Sequence, residues 1–277
     1  MENGYTRVDA CRLVGLARSS YYYSDKPENE ALENAVIQVA HEHVTYGTRR
    51  VTHQLRRTEE PIHLNRKKVQ RIMRKHGLLR PVKRRKKRTT QSTHGFQRFP
   101  NLVEGVKAMY PDQIWVADIT YIRFRLSFIY LAVIMDVYTR MVRGWCVHPT
   151  LDQMLSLKAL WQALRGGSPE IHHSDQGIHY AAPTYVALLN QHGVRVSMAA
   201  KGSPEENGFA ERLMRTIKEE EVDLSEYDSF QDAREQLDDF FATVYNRKRI
   251  HSALGYQTPA EFESAYRQAH PVPLSEA

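Results

Sequence analysis

The sequence predicts an α/β fold, a mixed sheet flanked by helices, preceded by a small all-helical module of the helix-turn-helix type. Two observations predict it. Residues 28–77 carry apolar residues at helical spacing in three segments separated by polar or glycine breaks. From about residue 109, short runs rich in β-branched and aromatic residues appear first in succession and then in alternation with helical patterns. That order places helices on the faces of one sheet.

Residues 1–26 are predicted as a short helical segment. Helical spacing at 8–16 is followed by a second helix that begins at Ser19 or Ser20, with a turn at Gly15 between them. A packing hairpin and a DNA-reading helix-turn-helix account equally well for so short a stretch.

Residues 27–79 are predicted as a helical DNA-binding module. Helices are expected at 28–43, within 45–57, and from an Asn65 cap to Gly77. The last helix carries six cations: Arg66, Lys67, Lys68, Arg71, Arg74 and Lys75. A solvated basic helix is the plainer interpretation, but the basic run that follows favours contact with DNA.

The net charge of +7 conceals a segregation of charge along the chain. Between positions 61 and 103 there are 14 Lys and Arg and no Asp or Glu, whereas the rest of the chain has 25 basic and 32 acidic residues. Concentrated basic charge is typical of a polyanion contact, since a solubility requirement would scatter it. Nucleic acid is therefore the leading partner.

Residues 80–107 are predicted as a basic linker. The stretch RPVKRRKKR has seven cations in nine residues, and a polar stretch without core-forming residues follows it. Such cations give salt-sensitive affinity for phosphates without reading base sequence. The linker residues expected to contact DNA are Lys83, Arg84, Arg85, Lys86, Lys87 and Arg88.

Residues 108–264 are predicted as the α/β domain with C-terminal helices, and residues 265–277 as a frayed tail. Strands are expected at 113–124, 128–138, 141–148, 170–174 and 194–198. Helices are expected at 151–165, at 183–192, from about 203, and at 230–244. The order β-β-β-α-β-α-β-α is that of the ribonuclease-H-like fold.

Three carboxylates stand at places that suggest a metal site. Asp118 lies in the apolar segment WVADITYI, where an unpaired carboxylate is costly unless a cation or solvent reaches it. Asp175 ends a predicted strand, where open α/β sheets bind ligands, and 35 residues separate it from Glu211. Mg²⁺ takes few protein carboxylates when substrate phosphates complete its coordination. Three acids would hold the two ions that serve an in-line displacement at phosphorus.

Glu211 belongs to a helix with two distinct faces. Apolar side chains form a stripe along it, at Ala210, Leu213, Met214 and Ile217. Glu211, Arg215 and Lys218 share another face, at i, i+4 and i+7. One face is expected to pack and the other to present a carboxylate and two cations to the substrate.

Each acid also has a structural interpretation. Asp118 suits a carboxylate bonded to the backbone, Asp175 a helix cap or a turn residue, and Glu211 an ordinary member of a charged helix. Together the three favour a site, because separate elements would otherwise carry acids at these places by accident. Asp136 is a rival: if the hairpin turns near Leu126, it lies diagonally across from Asp118 on the same face. We rank it lower, since a register slip of one residue reverses its direction.

Several segments resemble a known family. WVADITYI, YLAVIMDVYTR, HHSDQGIHY, KGSPEENGFAERLMRTIKEE and YNRKRIHSALGYQTPAEF resemble the catalytic half of insertion-sequence transposases of the second-reading-frame (OrfB) type, which are related to retroviral integrases. YGTRRVTHQL and NRKKVQRIMRKHGL resemble the N-terminal helical module of that family. The likeness covers most of the chain, with the motifs in order.

The resemblance implies roles for particular residues. Asp118, Asp175 and Glu211 match the three metal-binding acids of the DDE type, which bind two Mg²⁺, with Mn²⁺ as a substitute. Lys218 matches a basic residue that contacts DNA, and Asn207 matches an asparagine near the start of the catalytic helix. We place both, with Arg215, among the DNA-binding residues. The chain departs from the family pattern before Asn207, where Glu206 stands in place of the usual aspartate.

The function implied is that of a DDE transposase, a polynucleotidyl transferase that cleaves strands at element ends and transfers them into target DNA. The partners implied are terminal repeats, target DNA, further copies of the chain, and a first-reading-frame product with a helix-turn-helix and a leucine zipper. No heptad repeat precedes position 28, so we expect the second product alone or the tail of a fusion. A nuclease that only hydrolyses and a non-catalytic DNA-binding regulator are the alternatives.

Other classes of site and location are disfavoured. The chain lacks a run of 18 apolar residues and a signal-like N-terminus, so we expect a cytoplasmic, nucleoid-associated protein without membrane contact. Cys11 and Cys146 lie in different predicted domains, which argues against a disulfide framework. No CxxC accompanies the histidines, so a zinc site is not supported at His41, His43, His172, His173 or His179. For Asn246 and Arg249 we favour a role in ordering the C-terminal helices of the domain over contact with DNA.

Overall fold

The structure, a computed structural model, describes residues 6–22, 29–80, 96–200 and 204–271. It divides into two compact units, residues 1–79 and 80–277. Outside the described residues lie the predicted phosphate contacts at Lys83, Arg84, Arg85, Lys86, Lys87 and Arg88. The domain boundaries drawn from the sequence stay a prediction.

The first unit contains five helices among its described residues: α1 Arg7–Leu13, α2 Arg18–Tyr21, α3 Glu30–Glu42, α4 Thr48–Gln54 and α5 Arg66–Lys75. The predicted turn at Gly15 is confirmed, with a φ of +65° that glycine adopts without strain. The predicted cap of α5 is also confirmed, because the Asn65 side chain accepts a hydrogen bond from the Lys67 backbone N–H at 2.9 Å.

An apolar core joins α3, α4 and α5. Val36 on α3, Val51 on α4, and Val69 and Met73 on α5 are each fully buried, with 0% exposure. Because these apolar residues of α5 recur at helical spacing, its cations are left on the opposite face. Three helices in this arrangement confirm the predicted helical module.

The second unit is built on one five-stranded mixed sheet. Its strands are β1 Ile114–Phe124, β2 Ser127–Asp136, β3 Val142–His148, β4 Ile171–Ser174 and β5 Arg195–Met198. The spatial order is β3-β2-β1-β4-β5, with the first three strands antiparallel and β4 and β5 parallel to β1. This is the sheet that the element order predicts for the ribonuclease-H-like fold.

The register of the β1–β2 hairpin decides the direction of Asp136. Phe124 pairs with Ser127, so Asp118 stands opposite Val133 and Asp136 stands opposite Trp115. Directly opposed residues share a sheet face, which puts Asp136 and Asp118 on opposite faces. The diagonal arrangement considered from the sequence is wrong, because the hairpin turns one residue tighter than that arrangement requires.

Six helices of the second unit flank the sheet or follow it: α6 Gln153–Leu164, α7 Ile178–Ala181, α8 Pro183–Gln191, α9 Gly208–Ile217, α10 Phe230–Asp239 and α11 Pro259–Ala269. Single 3₁₀ turns lie at Pro204–Asn207 and Ser252–Leu254, and π-helical segments at Lys218–Val222 and Phe240–Lys248. The helix predicted at 230–244 is therefore α10 continued by π-helix. The short α7 was not predicted.

Two apolar clusters cover the two faces of the sheet. One joins Val116 and Val133 to α9 and α10, and the other joins Trp115 and Ala132 to α6 and α8. Because Asp118 stands opposite Val133, it belongs to the face covered by α9. The helix that carries Glu211 therefore lies over the face that carries Asp118.

The tail predicted from 265 onward is helical as far as Ala269. A capping box starts α11, in which Thr258 and Glu261 satisfy each other's backbone N–H groups. Tyr266 contacts Tyr138 edge to face, with ring centroids 5.4 Å apart. For residues 265–269 the prediction of fraying is wrong, because the local capping box and the contact with the distant Tyr138 stabilise a segment with little apolar pattern of its own.

Asn246 and Arg249 order the C-terminal half of the unit, as the sequence favoured. The Asn246 amide accepts from the Val142 N–H and donates to the Val142 carbonyl, at 3.0 and 3.1 Å, like a neighbouring strand. Arg249 makes two parallel hydrogen bonds to Glu220, at 2.6 and 2.9 Å. Both side chains of that ion pair are about nine-tenths buried, so removing either would strand a charge.

Residues 96–107 were predicted as the end of the basic linker, yet they contact the α/β unit. Phe99, Leu102 and Val103 pack against the apolar clusters of the sheet. The Leu102 N–H donates to the Ser197 hydroxyl on β5 at 2.8 Å. The packed part of the chain thus begins upstream of the first strand.

Gly144 on β3 lies where α6 approaches the sheet closely. A Cβ at this position would lie 2.8 Å from the Ala163 nitrogen and 2.9 Å from the Ala163 Cβ, and it would also meet the Ala159 carbonyl. We expect Gly144→Ala to lower the free energy of unfolding by about 2 kcal/mol, because backbone cannot yield as a flexible side chain does. Chemical denaturation measures the change.

Gly166→Ala is the matched control, since the nearest atom to its Cβ would be the Ala163 carbonyl oxygen at an ordinary 3.7 Å. It should leave the stability within about 0.5 kcal/mol of the wild type. Equal stabilities for the two variants would contradict the close approach of β3 and α6.

Candidate active site

The two aspartates are brought together by strand pairing. Val116 on β1 pairs in parallel with His173 on β4, which is the last registered pair of the two strands. Asp118 lies two residues further along β1, and Asp175 directly follows Ser174, the last residue of β4. Paired parallel strands run about 4.8 Å apart, with paired side chains on the same face. The register points the Asp118 carboxylate to the face that α9 covers, and it brings Asp175, immediately after the end of β4, to the same end of the two strands.

Each aspartate bonds to the backbone that follows it. Asp118 Oδ1 accepts from the Ile119 N–H at 2.8 Å, and Asp175 Oδ1 accepts from the Gly177 N–H at 2.9 Å. A Cβ on residue 177 would lie 2.8 Å from Asp175 Oδ1, so a larger residue there would displace the carboxylate from this position. Both carboxylates are half-buried, less than the sequence suggested for Asp118.

Glu211 lies in the first turn of α9 and is exposed, as is Arg215. The stripe predicted to pack is confirmed, because Ala210, Leu213, Met214 and Ile217 are all buried. Lys218 follows α9 and is half-buried, with its Nζ 4.8 Å from the centre of the Tyr121 ring on β1. The predicted basic residue thus rests on an aromatic side chain three positions beyond Asp118.

The structure does not draw all three acids into one cluster. Among the described residues, no three His, Cys, Asp or Glu side chains lie close enough together to hold a metal ion as a group. It sets Asp118 beside Asp175 by register, and it sets Glu211 on the helix above them. The assignment of the three acids as catalytic stays a prediction.

Asp136 has a structural role. Its Oδ1 accepts from the backbone N–H groups of Tyr138 and Thr139, at 2.7 and 2.8 Å, and its other oxygen accepts from the Asp112 N–H. Arg143 lies 3.6 Å from the Asp136 carboxylate and 2.8 Å from that of Glu263 on α11. Burial raises the pKa of Asp136, and these donors oppose that rise.

Glu206 has a clear local role. Its Oε2 accepts from the Asn101 amide and from the Ala200 backbone N–H, both at 2.7 Å. The neighbouring Asn207 is buried and donates from its amide to the Ala117 carbonyl on β1 at 3.2 Å. The start of α9 is thereby fixed to β1 next to Asp118, and the longer Glu side chain also reaches the segment before β1.

Two buried histidines on β4 precede Asp175. Burial lowers the pKa of His172 to about 3, and its Nε2 lies 3.0 Å from the Tyr185 hydroxyl. Burial also lowers the pKa of His173, whose Nδ1 lies 2.8 Å from the Ser197 hydroxyl. Both are therefore neutral residues of the interior at physiological pH.

Two residues of this region were missed from the sequence. Tyr121 is 47% exposed beside Lys218, and Tyr180 is buried on α7, five residues after Asp175. Both stand inside the quoted motifs WVADITYI and HHSDQGIHY. An aromatic residue in an apolar run gives no sign of function by itself, so only the three-dimensional neighbours could reveal them.

In the first unit, α5 presents its cations to solvent. Arg66, Lys67, Arg71 and Arg74 are exposed and Lys68 is half-buried. Lys75 differs, because its Nζ lies 3.1 Å from the Glu33 carboxylate on α3. The helix therefore offers one cation fewer for contact with phosphates than the sequence suggested.

No described helix is long and apolar enough to cross a membrane.

Family models match most of the chain. Models described as "Integrase core domain" match residues 109–204 and 192–259, and one described as "HTH-like domain" matches residues 27–87. The observed sheet and these matches confirm the predicted fold class.

Relatives match nearly the whole chain. The "Insertion element IS600 uncharacterized 31 kDa protein" of Shigella sonnei is 34% identical over 270 residues, 93% of this chain and 98% of that protein. The "Transposase for insertion sequence element IS904" of Lactococcus lactis is 33% identical, covering 85% of this chain and 94% of that protein. "Transposase InsF for insertion sequence IS3A" of Escherichia coli is 32% identical, covering 92% of each.

Solved structures show more distant likeness. The catalytic core domain of HTLV-2 integrase in complex with magnesium aligns with 57% of this chain and 99% of that chain, at a TM-score of 0.45 and 16% identity. A simian T-cell lymphotropic virus intasome in complex with the PP2A regulatory subunit B56 gamma aligns with 87% of this chain and 76% of that chain, at 0.49 and 15%.

The buried histidines predict how stability depends on pH. The unfolded chain takes up a proton on His172 near pH 6.5, whereas the folded chain resists it down to about pH 3. His172 therefore contributes its full stability above pH 6.5, and that contribution falls as the pH drops through the interval. Lowering the pH from 7 to 5 should reduce the free energy of unfolding by about 2 kcal/mol, because His172 takes up a proton in the unfolded chain only.

Denaturant titrations at pH 7, 6 and 5 check this, with His172→Gln as the comparison. The variant should be less stable at pH 7, yet lose less stability than the wild type on acidification. The same loss in both proteins would show that His172 does not titrate on unfolding.

Proposed function

Because the chain belongs to the insertion-sequence transposase family, we propose that it cleaves DNA strands at the ends of its own element and joins the freed 3′ ends to target DNA. The observation that supports the proposal is the parallel pairing of β1 with β4, which brings Asp118 and Asp175 to the same end of the two strands, while Asn207 holds the start of the helix that carries Glu211 to β1. Carboxylates at this end of the sheet would serve phosphoryl transfer.

The donor set fits a hard divalent cation. All three acids offer oxygen ligands, and a carboxylate has about four lone-pair sites, so one backbone hydrogen bond leaves capacity for a cation. Asp118, Asp175 and Glu211 would hold two Mg²⁺ ions, with Mn²⁺ able to substitute. When bound, the ions supply activation of a water or a 3′-hydroxyl and stabilise the leaving 3′-oxygen of an in-line displacement.

The chain's own residues position the substrate around this site. Lys218, lying on Tyr121, and Arg215, exposed one turn beyond Glu211, bring positive charge to the DNA backbone. Asn207 holds α9 to β1 through the Ala117 carbonyl, and its predicted contact with DNA stays a prediction. The exposed cations of α5 give salt-dependent binding to the element ends.

The reaction requires further partners. Two element ends must be held together before joining, so we propose that at least two copies of the chain act on one pair of ends. A first-reading-frame product with its own helix-turn-helix and leucine zipper would add to the recognition of the ends. Because its substrate would be chromosomal DNA, we propose that the protein acts in the bacterial cytoplasm, at the nucleoid.

Substitution of the acids tests the proposed chemistry. Asp118→Asn, Asp175→Asn and Glu211→Gln should each lower strand transfer on the order of 10³-fold or more, because the amides cannot ligate the cation as carboxylates do. Binding of the element ends should remain. The assay joins pre-cleaved ends, taken from the flanks of the gene itself, to plasmid DNA in the presence of Mg²⁺. Glu235→Gln, which changes an exposed carboxylate on α10, is the control.

The products distinguish the proposed function from its alternatives. Joined products with the wild type and none with the three variants support a transposase. Nicked but never joined DNA would indicate a nuclease that only hydrolyses. DNA binding without nicking would indicate a regulator, and near-normal joining by one variant would remove that acid from the site.

Cations on α5 are expected to bind phosphate. Arg71→Ala should weaken binding of the ends and lower the slope of log affinity against log salt by about 0.9, because one released counterion is lost. Fluorescence anisotropy between 50 and 200 mM salt measures both quantities.

Lys75→Ala on the same helix is the matched control, since the Glu33 carboxylate already pairs with that cation. It should change the slope less than Arg71→Ala does. An unchanged slope in Arg71→Ala would show that this face of α5 does not contact DNA.

A further inference from the structure

The β1–β2 hairpin turns two aromatic side chains toward solvent. In the register of the hairpin Arg123 stands opposite Phe128, and Tyr121 lies two residues before Arg123 on the same face of β1. Ile122 and Ile129 point to the other face and are buried, at 1% and 2% exposure, whereas Tyr121 and Phe128 are 47% and 48% exposed. An antiparallel hairpin with one buried face ordinarily carries polar residues on the other. Two aromatic rings on the open face therefore call for a further explanation.

Contact between the two rings accounts for only part of their surface. The ring centroids of Tyr121 and Phe128 lie 5.3 Å apart, with the rings edge to face at 85°. A cross-strand aromatic pair of this kind stabilises a hairpin, which is the plain structural role. Nearly half of each residue nonetheless stays accessible to solvent. The pair thus offers an apolar surface that the described part of the fold does not cover.

Positive charge borders this surface. Lys218 Nζ lies 4.8 Å from the centre of the Tyr121 ring, and Arg123 is exposed directly across from Phe128. The sequence has no Asp or Glu between positions 119 and 135. A partner that matches this combination is negatively charged and has flat apolar groups. Nucleic acid has both, in its phosphates and in its bases.

The hairpin also lies within reach of the candidate active site. Asp118 and Tyr121 are three residues apart on β1, which corresponds to about 10 Å along a strand. Phosphates of one stacked DNA strand follow each other about every 3.4 Å, so the distance spans about three nucleotides. The registered pairs of β1 with β4 end at Val116, so β4 does not cover this part of β1. A DNA strand with one phosphate at Asp118 would thus reach the rings.

We propose that Tyr121 and Phe128, with Arg123 and Lys218 at their border, bind unpaired bases of the DNA strand that passes through the candidate active site. The inference rests on the proposed function and adds to it a form of substrate, an element end with unpaired nucleotides. Bases of a duplex hide their faces in the stack, whereas unpaired bases stack on exposed aromatic side chains. Such stacking tolerates any sequence, because every base has a flat face.

Phe128→Leu tests the role of the ring. The variant keeps an apolar side chain on the hairpin but removes the stacking surface. Fluorescence anisotropy, at fixed salt and without divalent cations, compares two DNAs from the flanks of the gene: a fully paired end and the same end with a short thymine overhang. The wild type should bind the overhang DNA more tightly. Phe128→Leu should lose about tenfold in affinity for the overhang DNA and change little on the paired DNA.

Two further variants serve as controls. Phe128→Tyr keeps an aromatic ring and should retain the affinity of the wild type for overhang DNA. Trp161→Leu removes an aromatic side chain of similar exposure, 46%, from α6. It should leave the affinity for both DNAs unchanged, because the hairpin is intact.

A measurement on the wild type avoids any effect of substitution on folding. Thymines of the overhang are replaced by 5-bromouracil, and ultraviolet light cross-links that base to side chains in contact with it. Mass spectrometry should locate the cross-link within residues 119–130. Cross-links found elsewhere but not in this segment would overturn the inference. An unchanged affinity of Phe128→Leu for overhang DNA, or an equal loss on both DNAs, would also overturn it.

Failure of the proposed function can be told apart from failure of this inference. Binding is measured without divalent cations and requires no strand transfer. A wild type that prefers overhang DNA but joins no ends would contradict the proposed function alone. A wild type that joins ends without any preference for the overhang would contradict the inference alone.

Discussion

The parallel pairing of β1 with β4 is the constraint on which the candidate site depends. It sets two carboxylates on neighbouring strands at the point where the shorter strand ends. Like charges so placed repel, and partial burial weakens the screening by water. In the proposed function, a divalent cation bound by both carboxylates would relieve this repulsion. The extension of β1 beyond that point carries Tyr121, on which Lys218 lies, and brings positive charge to the same end of the sheet.

The position of α9 follows from a few polar contacts that bind its start to the sheet. Asn207 bonds to the Ala117 carbonyl, immediately before Asp118, and Glu206 joins the segment at Asn101 to the backbone at Ala200. The apolar stripe of α9 then fixes its rotation and leaves Glu211 on another face. Asp136, which has a structural role, is bonded differently from Asp118 and Asp175. It lies on the opposite sheet face, where its carboxylate accepts three backbone hydrogen bonds and contacts Arg143.

The sequence predicted the strands and most helices because their apolar periods are local. It could not settle properties that depend on distant partners. The direction of Asp136 depended on a one-residue register in the hairpin, and the helix after position 264 depended on a capping box and on Tyr138. Lys75 looked like the other cations of α5 until Glu33 on α3 came beside it. The three acids were predictable as candidates from their motifs, whereas the contact of Lys218 with the Tyr121 ring depends on residues distant in sequence.

The central claim is that Asp118 and Asp175 hold the catalytic cation, and the metal dependence of strand transfer tests it most directly. A thiolate is a softer ligand than a carboxylate, so Asp118→Cys should accept Mn²⁺ far better than Mg²⁺. Strand transfer by this variant is measured in each metal, with the wild type and Glu235→Cys, a surface change on α10, alongside. The structure predicts activity lost in Mg²⁺ and recovered in Mn²⁺ for Asp118→Cys alone. Wild-type activity in Mg²⁺, or a folded, DNA-binding variant that is inactive in both metals, would contradict it.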